Sequence, residues 1–157
     1  MGVSLPPGWL TDPEAGELRR LAAGRTVLEL GAWKGRSTVV LAAVAEHVVS
    51  VDRHQGIPGH GESLSEYLAN VRELLNVTVV IGAFAQIVPH LHGFDLVYID
   101  GDHDQQSVTG DTMLARLTGA AVIAYHDWDI DDVRIAATAA HGRGPDGLVG
   151  SVASYLT

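Results

Sequence analysis

No cysteine occurs among the 157 residues. That excludes disulfides and thiolate metal sites, and it leaves the compartment undecided, with the cytoplasm as the default expectation. Basic residues are few, 10 against 19 acids for a net charge of −9, and they form no stripe, which argues against a nucleic-acid partner. No apolar run approaches the roughly 18 residues that a membrane span needs. The start, MGVSLPPGWL, has neither the charged nor the apolar segment of a secretory signal, and Pro6 stands where a myristoylation motif needs a hydroxyl residue. Charged content is only 18%, which leaves no long disordered tract, and 46% apolar residues suffice for a substantial core. One domain over residues 1–157 is expected.

What is present is an alternation of β and α patterns. Helical periodicity or capping signals mark 12–23, 36–46, 63–75, 84–91, 105–117 and 130–140. Asp12 with Pro13 suits the first helix start, and Ser63 with Glu66 has capping-box spacing. Apolar β-rich runs mark strands at 26–30, 47–52, 77–81, 94–100, 120–125 and a last one at 148–156. Residues 53–62, with three glycines, read as a flexible loop. Strict alternation predicts a parallel, doubly wound α/β sheet. Ligands in such sheets sit beyond the carboxyl ends of the strands. Gly31, Asp52, Gly82, Asp100 and the pair His126-Asp127 all fall at that edge.

The stretch TVLELGAWKGRST, residues 26–38, organises the rest. Its strand is apolar apart from Thr26 and Glu29, as burial on both faces requires. Gly31 and Gly35 bracket a loop where the backbone turns tightly or comes close to another group. Ser37 and Thr38 are placed to cap the next helix, whose free N–H groups favour a carboxylate or phosphate. Asp52 follows at about the spacing at which a Rossmann-type fold sets a carboxylate on ribose hydroxyls. The glycines do not form the G-x-G-x-x-G of a dinucleotide site, and Trp33 stands where a pyrophosphate would need open backbone. An ordinary strand–loop–helix turn would give the same local pattern without a ligand.

Strand four runs into YIDGDHD and strand five into AYHDWDIDD. Seven of the 19 acids lie in these two loops, an unfavourable cluster unless exposed or offset by a cation. Asp102, Asp104, Asp129, Asp131 and Asp132 read as solvated or helix-capping acids. Asp100 and Asp127, each the first acid after its strand, read as functional. His103 can take a proton from a hydroxyl, or can be a surface or capping histidine. His126 can ligate a metal, orient Asp127, or be structural.

VLELGAWKGRST, IDGDH and YHD together resemble class I S-adenosylmethionine (SAM) dependent methyltransferases, in the branch with macrocin O-methyltransferase and the cephalosporin hydroxylase-like proteins, over about residues 27–128. The resemblance implies a mostly parallel Rossmann-like sheet with helices on both faces, shortened at the C-terminus so that the usual sixth and seventh strands become one. It implies that Glu29, Gly31, Ala32, Gly35 and Ser37 contact the methionine moiety of SAM, with Trp33 and Thr38 in the same cofactor loop. Asp52, with Arg53 beside it, would hold the ribose, and Gly82, Ala83 and Phe84 would line the adenine pocket. Asp100 would serve both cofactor and chemistry. Asp100, His126 and Asp127 would bind a divalent metal, magnesium or manganese, that polarises an acceptor hydroxyl, with His103 as base. Metal-using relatives carry two adjacent acids after strand five, where this chain has His126 and Asp127. The short N-terminal segment implies an acceptor pocket that is open, completed by a partner subunit, or lost.

The function implied is O-methylation of a small-molecule hydroxyl, on a sugar or natural product. The alternatives are a SAM-binding sensor or assembly partner without transferase activity, and a nucleotide-dependent oxidoreductase, which Trp33 and the missing third glycine disfavour. A shortened sheet would leave an edge uncovered, which predicts a homodimer or higher oligomer.

Overall fold

The computed structural model describes residues 5–55 and 60–157. The expected loop glycines at 56 and 59, and the first four residues, lie outside the described part. A seven-stranded sheet has the order β3-β2-β1-β4-β5-β7-β6. Its central strand, β1 (Thr26–Leu30), pairs in parallel with β2 (His47–Asp52) and β4 (Leu96–Ile99). β3 (Val77–Ile81) and β5 (Val122–Tyr125) extend the parallel part on either side. β6 (Gly147–Val149) and β7 (Val152–Leu156) form an antiparallel hairpin, and β7 pairs antiparallel with β5.

Side-chain alternation along β1 splits the core into two layers. Leu28 and Leu30 join Val97, Ile99 and Ile123 under α5 (Gln105–Leu117) and α6 (Asp131–His141). Val27 joins Val48, Leu96 and Ala124 under α1 (Asp12–Ala22) and α2 (Arg36–Ala42). Tyr67 and Val71 of α3 (Leu64–Val71) pack beneath Ala32 of the glycine loop. Helices therefore cover both faces. Among the described residues no helix is long and apolar enough to cross a membrane.

Backbone bonds continue past the strand ends and align the edge that matters. The N–H of Gly31 donates to Val51 at 3.0 Å, that of Asp100 to Leu30 at 2.8 Å, and that of His126 to Ile99 at 3.1 Å. Three neighbouring strands thus deliver their exit residues to one line.

Several local expectations change. The run 148–156 is not one strand, because Gly150, at φ 58°, turns the chain left-handed and makes a hairpin. The C-terminal part of the sheet therefore holds two strands rather than one, with the three-residue β6 as its outer edge. The helix expected over 36–46 stops at Ala42, because Val44 O and Glu46 N–H pair with Gly24 and Arg25 across the turn before β1. Residues 84–91 form one α-turn, α4 (Phe84–Ile87), and a 3₁₀ turn at Val88–His90, where Pro89 withholds an N–H. Thr11, not Asp12, caps α1, with its N–H and hydroxyl donating to Glu14 at 2.8 and 2.7 Å. Ser63 is the N-cap of α3 but its side chain makes no capping bond: its hydroxyl meets His54 Nδ1 at 3.0 Å, and Glu66 pairs with Lys34 at 2.8 Å.

Candidate functional site

The glycine loop is held from several sides. A Cβ on Gly31, at φ 94°, would stand 2.1 Å from the carbonyl oxygen of Asp100, so the two strand exits touch backbone to backbone. Asp52 closes the loop from the β2 side. Its Oδ2 accepts from the N–H groups of Ala32 at 2.8 Å and Trp33 at 3.0 Å, and its Oδ1 from His54 N–H at 2.7 Å. Glu29 closes it from below. Fully buried, its carboxylate accepts 2.6 Å bonds from the hydroxyls of Ser37, Thr38 and Ser50. Burial pushes the Glu29 carboxyl up to about 7 against those three donors.

Two of these contacts correct the sequence reading. Glu29 faces no open space, so it shapes the loop rather than meeting a ligand, and Ser37 and Thr38 spend their hydroxyls on it rather than capping α2, whose N-cap is Gly35. Gly35 instead receives Tyr67 and Val71 against its bare Cα.

Two adjoining cavities, of about 360 and 300 Å³, are both lined by Gly31, Trp33, Asp100 and Gly101. The smaller continues over Asp52, Arg53, Phe84 and Asp102. The larger continues over Ala32, Arg36, Ser37, His103, His126 and Asp127. Glu29, Gly35, Thr38, Gly82 and Ala83 line neither. The N–H of Gly82 donates to Asp52 O at 3.1 Å and Ala83 precedes α4, so only Phe84 of that trio reaches the space.

At the far end of the larger cavity a polar chain runs through Asp127. His103 Nε2 lies 2.9 Å and His126 Nδ1 3.0 Å from Asp127 Oδ2, while His126 Nδ1 stands 3.5 Å from Asp100 Oδ1. The Tyr98 hydroxyl donates to Asp100 Oδ2 at 3.3 Å. Burial alone would raise the Asp127 carboxyl, but bonds from His103 and His126 hold it well below the usual carboxylate range. The bond to Asp127 raises His103 above its ordinary value. Burial opposes charge on His126, yet Asp100 and Asp127 outweigh it and raise that ring too. Asp100, His103 and Asp127 each offer a donor atom, all within 4.8 Å of one another. His126 is not in that set; its Nδ1 lies 3.0 Å from Asp127 Oδ2 and 3.5 Å from Asp100 Oδ1.

Backbone strain gathers here as well. Among the described residues the non-glycine positions with left-handed φ are Trp33 at 44°, His54 at 52° and Asp127 at 56°, following β1, β2 and β5. Each such conformation costs on the order of 1 kcal/mol or more and persists where surrounding contacts hold it, typically at functional sites.

Residues 28–128 match the family described as methyltransferase domain. The chain belongs to that family. No curated protein matches this methyltransferase domain. Among solved structures, it is similar to cofactor-bound Rv0187 from MTB at 28% identity, covering 88% of this chain and 70% of that one with a TM-score of 0.66. The O-methyltransferase of Bacillus cereus, solved in complex with SAH, shares the fold at 16% identity over 98% and 84% of the chains with a TM-score of 0.71. TomG of Streptomyces achromogenes, an O-methyltransferase involved in tomaymycin synthesis and solved with SAM, shares it at 18% identity over 95% and 82% with a TM-score of 0.69.

Three of the remaining loop acids of this methyltransferase domain have local partners. Asp104 caps α5 through Gln106 and Ser107, Asp131 pairs with Arg134, and Asp132 accepts from Gln105 at 2.7 Å. The sequence reading missed the N-terminal segment. Gly8, Trp9 and Leu10 wall the larger cavity, so the segment expected to leave the pocket open narrows it. Arg36 holds it, donating to Leu10 O at 2.8 Å and Pro6 O at 2.9 Å, and Trp9 stacks on Trp33 at 4.5 Å. The available signal was Trp9 itself, a large aromatic in a proline- and glycine-rich stretch.

Proposed function

We propose that this methyltransferase domain uses SAM to methylate a hydroxyl oxygen of a small molecule, a sugar or another natural product. The observation that carries the reading is the His103–Asp127 pair at the end of a cavity that adjoins a second one over Asp52 and Phe84. The residues fit SAM. Asp52 Oδ1 accepts one protein N–H and keeps lone pairs for ribose hydroxyls. Gly31 and Gly101 leave bare backbone between the cavities, where a Cβ on Gly101 would meet Phe84 at 2.9 Å. Bound SAM supplies an electrophilic methyl group. The chain's part is to hold the acceptor oxygen in line and remove its proton. With Nε2 donating to Asp127, His103 keeps Nδ1 as the basic atom.

A divalent metal is a second reading, favoured by the grouping of Asp100, His103 and Asp127 within 4.8 Å. A bound magnesium or manganese ion there supplies Lewis-acid polarisation of a hydroxyl. It would use His103 as a ligand, so the two readings give that residue different work.

Calorimetric titration with SAM, SAH and NAD, followed by SAH release against a panel of sugars and phenols, tests the proposal. SAM binding with turnover supports it; SAM binding without turnover on any acceptor favours the sensor or assembly reading, and NAD binding alone overturns both. Loss of turnover with a chelator and its return with manganese would favour the metal.

A further inference from the structure

Glu14 has so far appeared only as the acceptor in the cap of α1, although it is 4% exposed and heavily bonded. Its Oε1 accepts from the N–H and hydroxyl of Ser151, both at 2.7 Å, and its Oε2 from the N–H and hydroxyl of Thr11. Burial would raise this carboxyl, but the donors bring it down to about 2, so it is a carboxylate at any working pH. The turn between β6 and β7 is shaped to admit it, since a Cβ on Gly150 would lie 2.6 Å from Oε1.

Those contacts alone would describe a cap and a staple for the hairpin. Two further observations point beyond that. Glu14 Oε2 stands 3.7 Å from His126 Nε2, a buried ring atom with no hydrogen-bond partner. The carbonyl of Ser151, the residue that Glu14 grips, accepts the N–H of Trp128 at 2.9 Å. Glu14 therefore reaches the 126–128 segment by two routes, through the imidazole and through the hairpin turn. Between its ends the left-handed backbone of Asp127 needs such support.

We propose that Glu14 is a positioning residue: facing His126 Nε2, it fixes the ring whose Nδ1 holds Asp127, and through Asp127 it sets the orientation of His103. The row alternates carboxylate, imidazole, carboxylate, imidazole, so each member faces a partner of complementary hydrogen-bonding character. The inference rests on the reading of His103 and Asp127 as the proton-handling pair.

The test is a long-range proton–nitrogen NMR spectrum of the full chain labelled at histidine nitrogens, with His103 and His126 assigned by single substitutions to glutamine. Glu14→Gln keeps the size and one acceptor oxygen but removes the charge facing Nε2. Its His126 and His103 ring signals are expected to move while the Kd for SAM stays within roughly twofold. Ser151→Ala, which removes one staple bond and leaves the carboxylate, should lower the Tm and leave both rings in place. Unmoved rings in Glu14→Gln, or equal movement in Ser151→Ala, would overturn the proposal and leave Glu14 as a cap. Should Glu14→Gln not fold, Glu14→Asp, which draws the carboxylate back by one carbon, is read the same way. Ring signals need no acceptor, so a failure of the methyltransferase reading shows in turnover and not here.

Discussion

Gly31 and Asp100 meet so closely that a single methyl group on the glycine would fall 2.1 Å from the aspartate's carbonyl oxygen. The contact is backbone against backbone at the exits of neighbouring strands, so no side-chain movement relieves it. Gly31→Ala is therefore expected to lose about 3 kcal/mol or more, since left-handed strain adds to the overlap. Urea unfolding checks this, and a loss below about 1 kcal/mol would show that the exits can separate.

Asp52 acts on the same loop through its carboxylate. Asp52→Ala removes the acceptor of the Ala32 and Trp33 N–H groups together with the proposed partner of the ribose. Hydrogen bonds to a charged group contribute roughly 1.5–3 kcal/mol, so SAM affinity should fall about tenfold to a hundredfold. Calorimetric binding unchanged from the parent would place the ribose elsewhere.

Arg36 predicts a local effect. Arg36→Ala should free the segment at 6–10, because its guanidinium is what donates to Pro6 O and Leu10 O. The expected result is faster chymotrypsin cleavage after Trp9, with a stability loss of roughly 1–3 kcal/mol. Cleavage at the parent's rate would mean that the Trp9–Trp33 stack alone holds the segment.

Asp111 gives the pH dependence its sign. It is 8% exposed on α5 behind Gly101, and burial, reinforced by Asp102 and Asp104, pushes its carboxyl from 3.8 up to about 7. The folded state binds this proton more tightly than the unfolded one. Its contribution is favourable below pH 4, declines between about pH 4 and 7, and stays lost above that. Asp111→Asn should therefore match the parent near pH 4 and exceed it by about 1–3 kcal/mol at pH 8, less than the whole shift because partial solvent access screens the charge. Equal stability of the two proteins at pH 8 would contradict this.

The glycine loop and the strand exits were legible because they rest on local signals: short apolar runs, each ended by a glycine or an acid. What escaped the sequence depends on partners far along the chain or on a single backbone angle. Glu29 looked like a ligand group because nothing local reveals that Ser50, 21 positions away, shares its burial with Ser37 and Thr38. Gly150 sits inside a run that is otherwise continuous strand, and only its φ of 58° divides it. His126 was adjacent in sequence to the right acid, but adjacency could not say that its Nδ1 turns onto that acid's carboxylate.

The bond between Glu14 and Ser151 joins residues 137 positions apart, and Thr26 finds Asp95 across 69. Each such pair can close only after the segment between its members has been made, although β1 can already pair with β2. Contacts of such long sequence separation slow folding and prolong the exposure of apolar strands. For this protein the final hairpin is a latch, and until it is made the His126–Asp127 segment lacks one of the walls that hold its shape.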